Sequence, residues 1–423
     1  MTAAVVTGIG VAAPNGLGKD KFWAATLRGE SGIRTVKRFD ASRYPSRLGG
    51  EIGDFEPTDY LAGRLIPQTD RMTQIALAAS DWALSDAGVE PGTYDTAEMG
   101  VATSGASGGL EYGQRELDHL WGTGPETVSV YMSFAWFYAV NSGQISIRHG
   151  MRGPAGVMIS DQAGGLDVLA QARRNIRKGS SLVLSGGVDS SFCPYGWVSR
   201  MSSGTLSTSG DPGRAYLPFD ACAQGHVPGE GGAILVVEDA EAARARGARP
   251  YGEVAGYGAT FDAAARHGGG KGLRRAVEAA LADAGVAAAD IGVVFADGSG
   301  TPDDDRLEAE TIAAVFGPGA VPVTVPKTMT GRMNSGGAPA DLACALLSLR
   351  EGIIPPTINV RTIAPGCEID LVIGEPRPLS PGAGSPGAAL VMARGQGGFN
   401  SAIVLRAMPQ DAIPPDTTTQ KES

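Results

Sequence analysis

The chain has 423 residues, of which 43% are hydrophobic and 19% charged. That is the make-up of a folded globular protein with material for one large core or two medium ones, and it excludes disordered and fibrous classes. The 35 basic against 45 acidic side chains leave a net charge of -10, which repels a polyphosphate backbone and offers no basic footprint for anionic lipid. Neither nucleic acid nor a membrane is therefore an expected partner.

The first residues, MTAAVVTGIGVAAPNG, lack a basic leader and read as a first strand and turn. Strand-like runs follow at 99–105, 181–188, 232–239, 291–298 and 401–407. Helical runs lie between them at 75–88, 165–179, 272–285, 306–317 and 339–352, most ending at a glycine suited to a left-handed cap. This alternation predicts an α/β protein with buried sheets. No apolar run approaches the roughly 20 residues that span a bilayer. Glycine, at 62 residues, is about twice its usual share of ~7% and clusters between elements, as tight turns near a site require.

An internal repeat is visible. Ala83-Leu84-Ser85-Asp86-Ala87-Gly88-Val89 matches Ala280-Leu281-Ala282-Asp283-Ala284-Gly285-Val286, and each leads through a loop and a strand to a glycine-rich turn. The same ending is common in Ala-rich helices, and it is the matching order of elements that favours duplication. The halves are placed at 1–245 and 246–408, divided near a charged helix at 238–254, with a polar, Pro-rich tail at 409–423 expected to be disordered.

Cys193, Cys222, Cys344 and Cys367 are too few for a disulfide framework, show no metal-binding spacing, and fit a reducing cytoplasm. Residues 155–179 read as a strand, a sharp turn and a helix opening at a glycine pair, where orphan N–H groups and the helix dipole would activate a thiol. The residue at that turn is Gln162, whose amide is no nucleophile but carries two donors and an acceptor.

With these segments assembled, the chain resembles the ketosynthases of the thiolase superfamily, and within them the ketosynthase-beta (chain length factor) family of bacterial type II aromatic polyketide synthases. The resemblance rests on VTGIGVAAPNG (6–16), ISIRHGMRGP (145–154), SDQAGGLDVLAQA (160–172), PFDACAQGHVPGEGGAILVVED (218–239), ADGSGTP (296–302) and PKTMTGRMNSGGAPADL (326–342), in order along nearly the whole chain. It implies a five-layer α/β/α/β/α thiolase-like fold built from two duplicated halves. Condensing members use a cysteine and two histidines. Here Gln162 stands at the cysteine position, Asp297 and Arg332 stand at the histidine positions, and Lys327 is kept. A chain without a thioester-forming nucleophile and both imidazoles is expected not to condense acyl chains alone. None of His119, His149, His226 and His267 falls in a catalytic motif, and each is expected to be structural or superficial.

The resemblance further implies pairing with a Cys-containing ketosynthase-alpha subunit as a heterodimer. Substrates would ride on the phosphopantetheine of acyl carrier protein, with no cofactor or metal bound by this chain. Its role would be to set the length of a poly-β-ketone built from malonyl units in aromatic, antibiotic-type polyketide biosynthesis. In GGLEYGQRELDHLW (108–121), Leu110, Gly113 and Leu117 share a helical face and are expected to gate the tunnel, with Tyr195 and Trp197 as further wall candidates; core packing gives the same periodicity. Met132, Phe134, Trp136 and Phe137 lie in an aromatic span suited to an interface or a core. The rival expectation is an autonomous malonyl-carrier-protein decarboxylase that supplies an acetyl primer through Gln162.

Overall fold

The structure is a computed structural model and describes residues 2–262, 271–380 and 387–408. His267 and the 409–423 tail lie outside the described residues. Five strands build the first half: β1 Ala4–Ala13, β2 Met99–Ser104, β3 Ala155–Met158, β4 Leu182–Asp189 and β5 Gly231–Asp239. Six build the second: β6 Gly252–Phe261, β7 Ile291–Phe295, β8 Pro322–Thr324, β9 Asp370–Leu371, β10 Ala388–Gly395 and β11 Phe399–Arg406. They run in the order β9-β8-β7-β10-β11-β6-β1-β5-β4-β2-β3, with a short strand Gly16–Leu17 pairing the end of β1.

That order reads the same outward from its middle. From β1, two antiparallel neighbours (β5, β4) are followed by two parallel ones (β2, β3); from β6, β11 and β10 are antiparallel and β7 and β8 parallel. Among the described residues the two sheets are joined through Val5 and Val6 of β1 against Glu253 and Gly252 of β6.

The helices that matter are α1 Arg71–Ala87, α2 Leu110–Gly122, α3 Val140–His149, α4 Gly164–Arg177, α5 Pro194–Met201, α6 Gly272–Ala284, α7 Pro302–Phe316 and α8 Gly337–Glu351. Helices α4 and α8 pack against strands of both halves, α1 covers the outer face of β1 and β5, and α6 covers β6 and β11 with α7 beside it. This gives the five layers. Every residue of α8 from Gly337 to Ser348 is buried, as GAPADLACALLS, apolar nearly all round, requires of a helix between two sheets.

The repeated motif has one geometry in both halves. Gly8 and Gly10 of β1 lie so close to α1 that a Cβ would come within 2.2 Å of Ala83 O and 1.9 Å of Ala79 O. Gly256 and Gly258 of β6 meet α6 the same way, at 2.2 Å from Ala280 O and 2.1 Å from Ala276 O. The repeated aspartate closes the contact: Asp86 accepts from Ile9 N and Asp283 from Tyr257 N, each at 2.9 Å. Gly88 and Gly285 then end the two helices at φ 61°. Among the described residues no helix is long and apolar enough to cross a membrane.

Candidate functional site

The carboxyl ends of the parallel strands converge between the two halves. Strand β3 leads into a tight turn where Asp161 takes φ 53°, Gln162 follows, and α4 starts at Gly164. Strand β7 ends in the turn Ala296–Thr301, bent at Gly298 (φ 54°) and Gly300 (φ 76°). The third segment, Pro326–Asn334, brings Arg332 in just after Gly331 (φ 77°). Gln162, Asp297 and Arg332, far apart in sequence, thus line one cavity of about 890 Å³.

Arg332 is the centre of the cluster. Its Nη1 donates to the carbonyls of Asp297 (2.9 Å) and Gly298 (3.2 Å), and its Nη2 pairs with the Asp297 carboxylate at 3.0 and 3.2 Å. With its amide oriented by these neighbours, Gln162 turns its oxygen to the same guanidinium, accepting from Nε at 2.8 Å and from Nη2. Burial opposes the charge on Arg332, but the Asp297 carboxylate outweighs it and holds the group protonated, above the ordinary guanidinium range. Two buried carboxyls of α7 support the turn from behind. Glu308 accepts from Asp297 N (2.6 Å) and Gly298 N (2.9 Å), while Asp305 accepts from Gly300 N and Phe219 N. Burial, and then repulsion from Asp297, push Glu308 up to about 8; burial pushes Asp305 up to about 6.

Lys327 is not with them. It lies behind the cavity, buried, with Nζ on Ala296 O at 2.7 Å and paired to Asp341 at 2.6 Å. Its work is to hold the strand end that carries Asp297. His226, expected to be structural or superficial, lines the cavity instead, where burial, and then Arg332 and Arg200, hold its ring neutral. The sequence reading missed it because its neighbours Arg332 and Ser299 come from the other half. Arg200 and Arg394 also reach the wall, but Arg200 is bound to Ser191 and two backbone carbonyls and Arg394 is paired with Asp304.

The expected gate divides. Leu110 and Tyr195 line the cavity. Gly113 faces elsewhere: a Cβ there would sit 3.5 Å from Trp136 Cβ and 3.9 Å from Met132 Cε. Leu117 is 39% exposed and continues outward to Trp121 at 82%. The buried face of α2 is Tyr112, Gly113 and Glu116, with Glu116 accepting from Ser129 N at 2.8 Å. Met132 and Phe134 are half-buried, while Trp136, Phe137 and Tyr138 are exposed. Trp197 lies in the core, its indole N–H on Ser46 O, and is no part of the cavity wall. Strand β3 is half exposed and pairs on one side only, with β2.

The chemistry of this cluster is that of a closed site. An amide, a saturated guanidinium and a paired carboxylate offer no group that could take an acyl chain from a thioester. Three cysteines are buried and Cys222, the exposed one, is outside the cavity. Among the described residues no His, Cys, Asp and Glu group is arranged to hold a metal.

Family models for the N-terminal and C-terminal domains of beta-ketoacyl synthase match residues 1–243 and 251–361. The chain belongs to the beta-ketoacyl synthase family. It is 57% identical to the actinorhodin polyketide beta-ketoacyl synthase 2 of Streptomyces coelicolor, and 56% identical to the tetracenomycin polyketide synthase ketoacyl synthase beta subunit of Streptomyces glaucescens. Each match covers 95% of this chain and 98% of the relative. Among solved structures it is similar to the ishigamide ketosynthase/chain length factor, with a TM-score of 0.88, 28% identity, and 96% of this chain and 100% of that one covered. In this member of the family the thiolase-like architecture surrounds a cavity whose centre is filled by the Arg332–Asp297 ion pair, with the Gln162 amide on the same guanidinium.

Proposed function

We propose that this chain is the non-condensing subunit of a type II polyketide synthase, pairing with a Cys-containing ketosynthase and setting the length of a poly-β-ketone built from malonyl-acyl carrier protein. The observation that carries this reading is the cluster of Arg332, Asp297 and Gln162, which fills the position of the thioester chemistry while Leu110 and Tyr195 stay open on the cavity wall. The exposed side chains of Leu117, Trp121, Trp136, Phe137 and Tyr138, and the half-exposed edge strand β3, are of the kind a large obligate interface uses. One similar solved structure is a ketosynthase/chain length factor, and another, 26% identical with a TM-score of 0.85, is a type II synthase acyl-carrier protein in complex with its ketosynthase. We assign the partner ketosynthase and the acyl carrier protein to this chain on that basis. On the same reading Leu110 and Tyr195 contribute to the length gate, with Met132, Phe134, Trp136 and Phe137 at the subunit interface. The halves divide at 245/246, and the complex works in the cytoplasm.

The test is malonyl-carrier-protein consumption and product mass for this chain alone, the ketosynthase alone, and the two together. A single dominant polyketide from the pair only, shortened by Leu110→Phe, supports the reading. Carbon dioxide and acetyl-carrier protein released by this chain alone, and abolished by Gln162→Ala, would replace it with an autonomous decarboxylase.

A further inference from the structure

Helix α2 begins without a cap of its own. Its N-cap is Gly109, which has no side chain and no room for one, since a Cβ would lie 2.2 Å from Ala135 O and 2.8 Å from Asp70 Cβ. The orphan N–H groups of a helix start need an acceptor. It comes from another helix. Asp70, the N-cap of α1 and 2% exposed, splits its carboxylate, accepting from Met72 N of α1 at 2.9 Å through Oδ1 and from Tyr112 N of α2 at 2.8 Å through Oδ2. One residue earlier Glu111 pairs with Arg38, which is anchored 2.6 Å from the fully buried Glu230. On the next turn Gln114 Oε1 accepts from Tyr195 N at 2.8 Å. The two cavity-wall residues are therefore hung from one framework. Leu110 lies on the first turn of a helix fixed by Asp70 and Arg38, and Tyr195 is tied to that same helix.

We propose that Asp70, with the Arg38–Glu111 pair, is a positioning element for product length: it fixes the start of α2, and so the depth at which Leu110 and Tyr195 close the cavity. This rests on the length-setting reading of the cavity. Asp70 touches no substrate and acts only through α2. A carboxylate serves both helices because it has two acceptor oxygens. An amide can cap α1 equally well but must turn its NH2 toward the Tyr112 N–H.

The test uses the heterodimer with acyl carrier protein and malonyl units, comparing wild type with Asp70→Asn by product mass spectrometry. The expected result is a fall of about fivefold in the ratio of the dominant product to its neighbours in length, equivalent to about 1 kcal/mol of lost discrimination, with malonyl consumption and heterodimer assembly unchanged. Should Asp70→Asn fail to assemble, Glu111→Gln leaves the α1 cap intact and is expected to broaden the products in the same way. Leu110→Phe is run alongside. If it shifts product length while the assembled anchor variants give the wild-type distribution, the positioning role is wrong. If Leu110→Phe shifts nothing either, the length-setting reading itself has failed.

Discussion

Removing the Asp297 side chain tests whether the centre of this molecule is a structural strut. Arg332 and Asp297 are 7% and 2% exposed, so solvent does little to screen their pairing. Breaking a buried ion pair by deleting one partner costs about 3–5 kcal/mol, because the remaining charge is left without compensation. In Asp297→Ala the guanidinium keeps the backbone carbonyls of residues 297 and 298 and the Gln162 amide oxygen. Loss of the carboxylate also relieves the repulsion felt by Glu308. Both effects place the expected cost at the low end, about 3 kcal/mol. The second arm is Asp297→Leu with Arg332→Met, since apolar side chains of similar volume often replace a buried pair at no cost. The double variant also takes the donor from the carbonyls of residues 297 and 298 and from the Gln162 oxygen, so it is expected to carry a cost of its own but less than the sum of the two single losses. Urea unfolding of the heterodimer at fixed protein concentration reads both. A cost below about 1 kcal/mol for Asp297→Ala, or a double variant that loses the sum of two single losses, would refute the strut.

Stability is also expected to fall as pH rises from 6.5 to 8. Asp70, pushed up to about 7 by burial, and Glu308, at about 8, bind protons in the folded chain at pH values where unfolded carboxyls, at 3.8 and 4.5, have lost them. His149, lowered to about 4 by burial, and His226 act the other way, but their contribution is complete above the unfolded histidine value of 6.5. A urea midpoint that stays level or rises over that range would contradict the assignment. Gly10→Ala is expected to prevent folding or to cost more than the ~1–3 kcal/mol typical of overpacking, because its Cβ would meet Ala79 O at 1.9 Å. Gly88→Ala, at φ 61° with open space around it, should cost only about 1–2 kcal/mol; thermal melts separate the two. Iodoacetamide should label Cys222 alone in the native chain, since Cys193, Cys344 and Cys367 are buried and burial raises their thiol pKa values. Peptide mapping that finds native Cys193 labelled would show that α5 opens.

What the sequence made legible was local. The strand and helix cores follow from runs of Val, Ile, Leu and Ala, and the repeated Ala-Leu-x-Asp-Ala-Gly carried a geometry as well as a pattern, its aspartate closing a glycine contact in each half. Two helices start ahead of their apolar periodic runs, at capping signals the periodicity does not include. Helix α1 begins at Arg71 behind the Asp70 cap, and α7 begins at Pro302, a favourable first helical residue. Helix α2 shows why periodicity has limits. Leu110, Gly113 and Leu117 make an apolar stripe, but the face that packs inward includes Glu116, which is buried because Ser129 N supplies its partner. No hydrophobicity pattern anticipates a glutamate on the inner side. His226 and Lys327 escaped for a related reason, since burial and tertiary neighbours decide which of them reaches the cavity.

The placement of the central cluster bears on how a site can lose its chemistry and stay folded. Gln162 comes from the turn before α4, in the first half, while Asp297 and Arg332 come from strand-end loops of the second. Among the described residues the ladder joining the two sheets is the short contact of Val5 and Val6 with Glu253 and Gly252. A guanidinium that bonds residues of both halves adds a polar tie at the opposite, carboxyl end of the strands, where α4 starts. Without Arg332 the carbonyls of residues 297 and 298 would lose the guanidinium and the Asp297 carboxylate would keep only the Arg394 N–H, each a buried loss of about 1–3 kcal/mol. Arg332 satisfies these acceptors at once. Gln162→Cys alone would set a thiol against a guanidinium already paired with Asp297, so that single substitution is not expected to give condensing activity. The fold keeps its centre filled, and Leu110 and Tyr195, the wall proposed to set length, lie to one side on the framework that begins at the Asp70 contact with Tyr112 N.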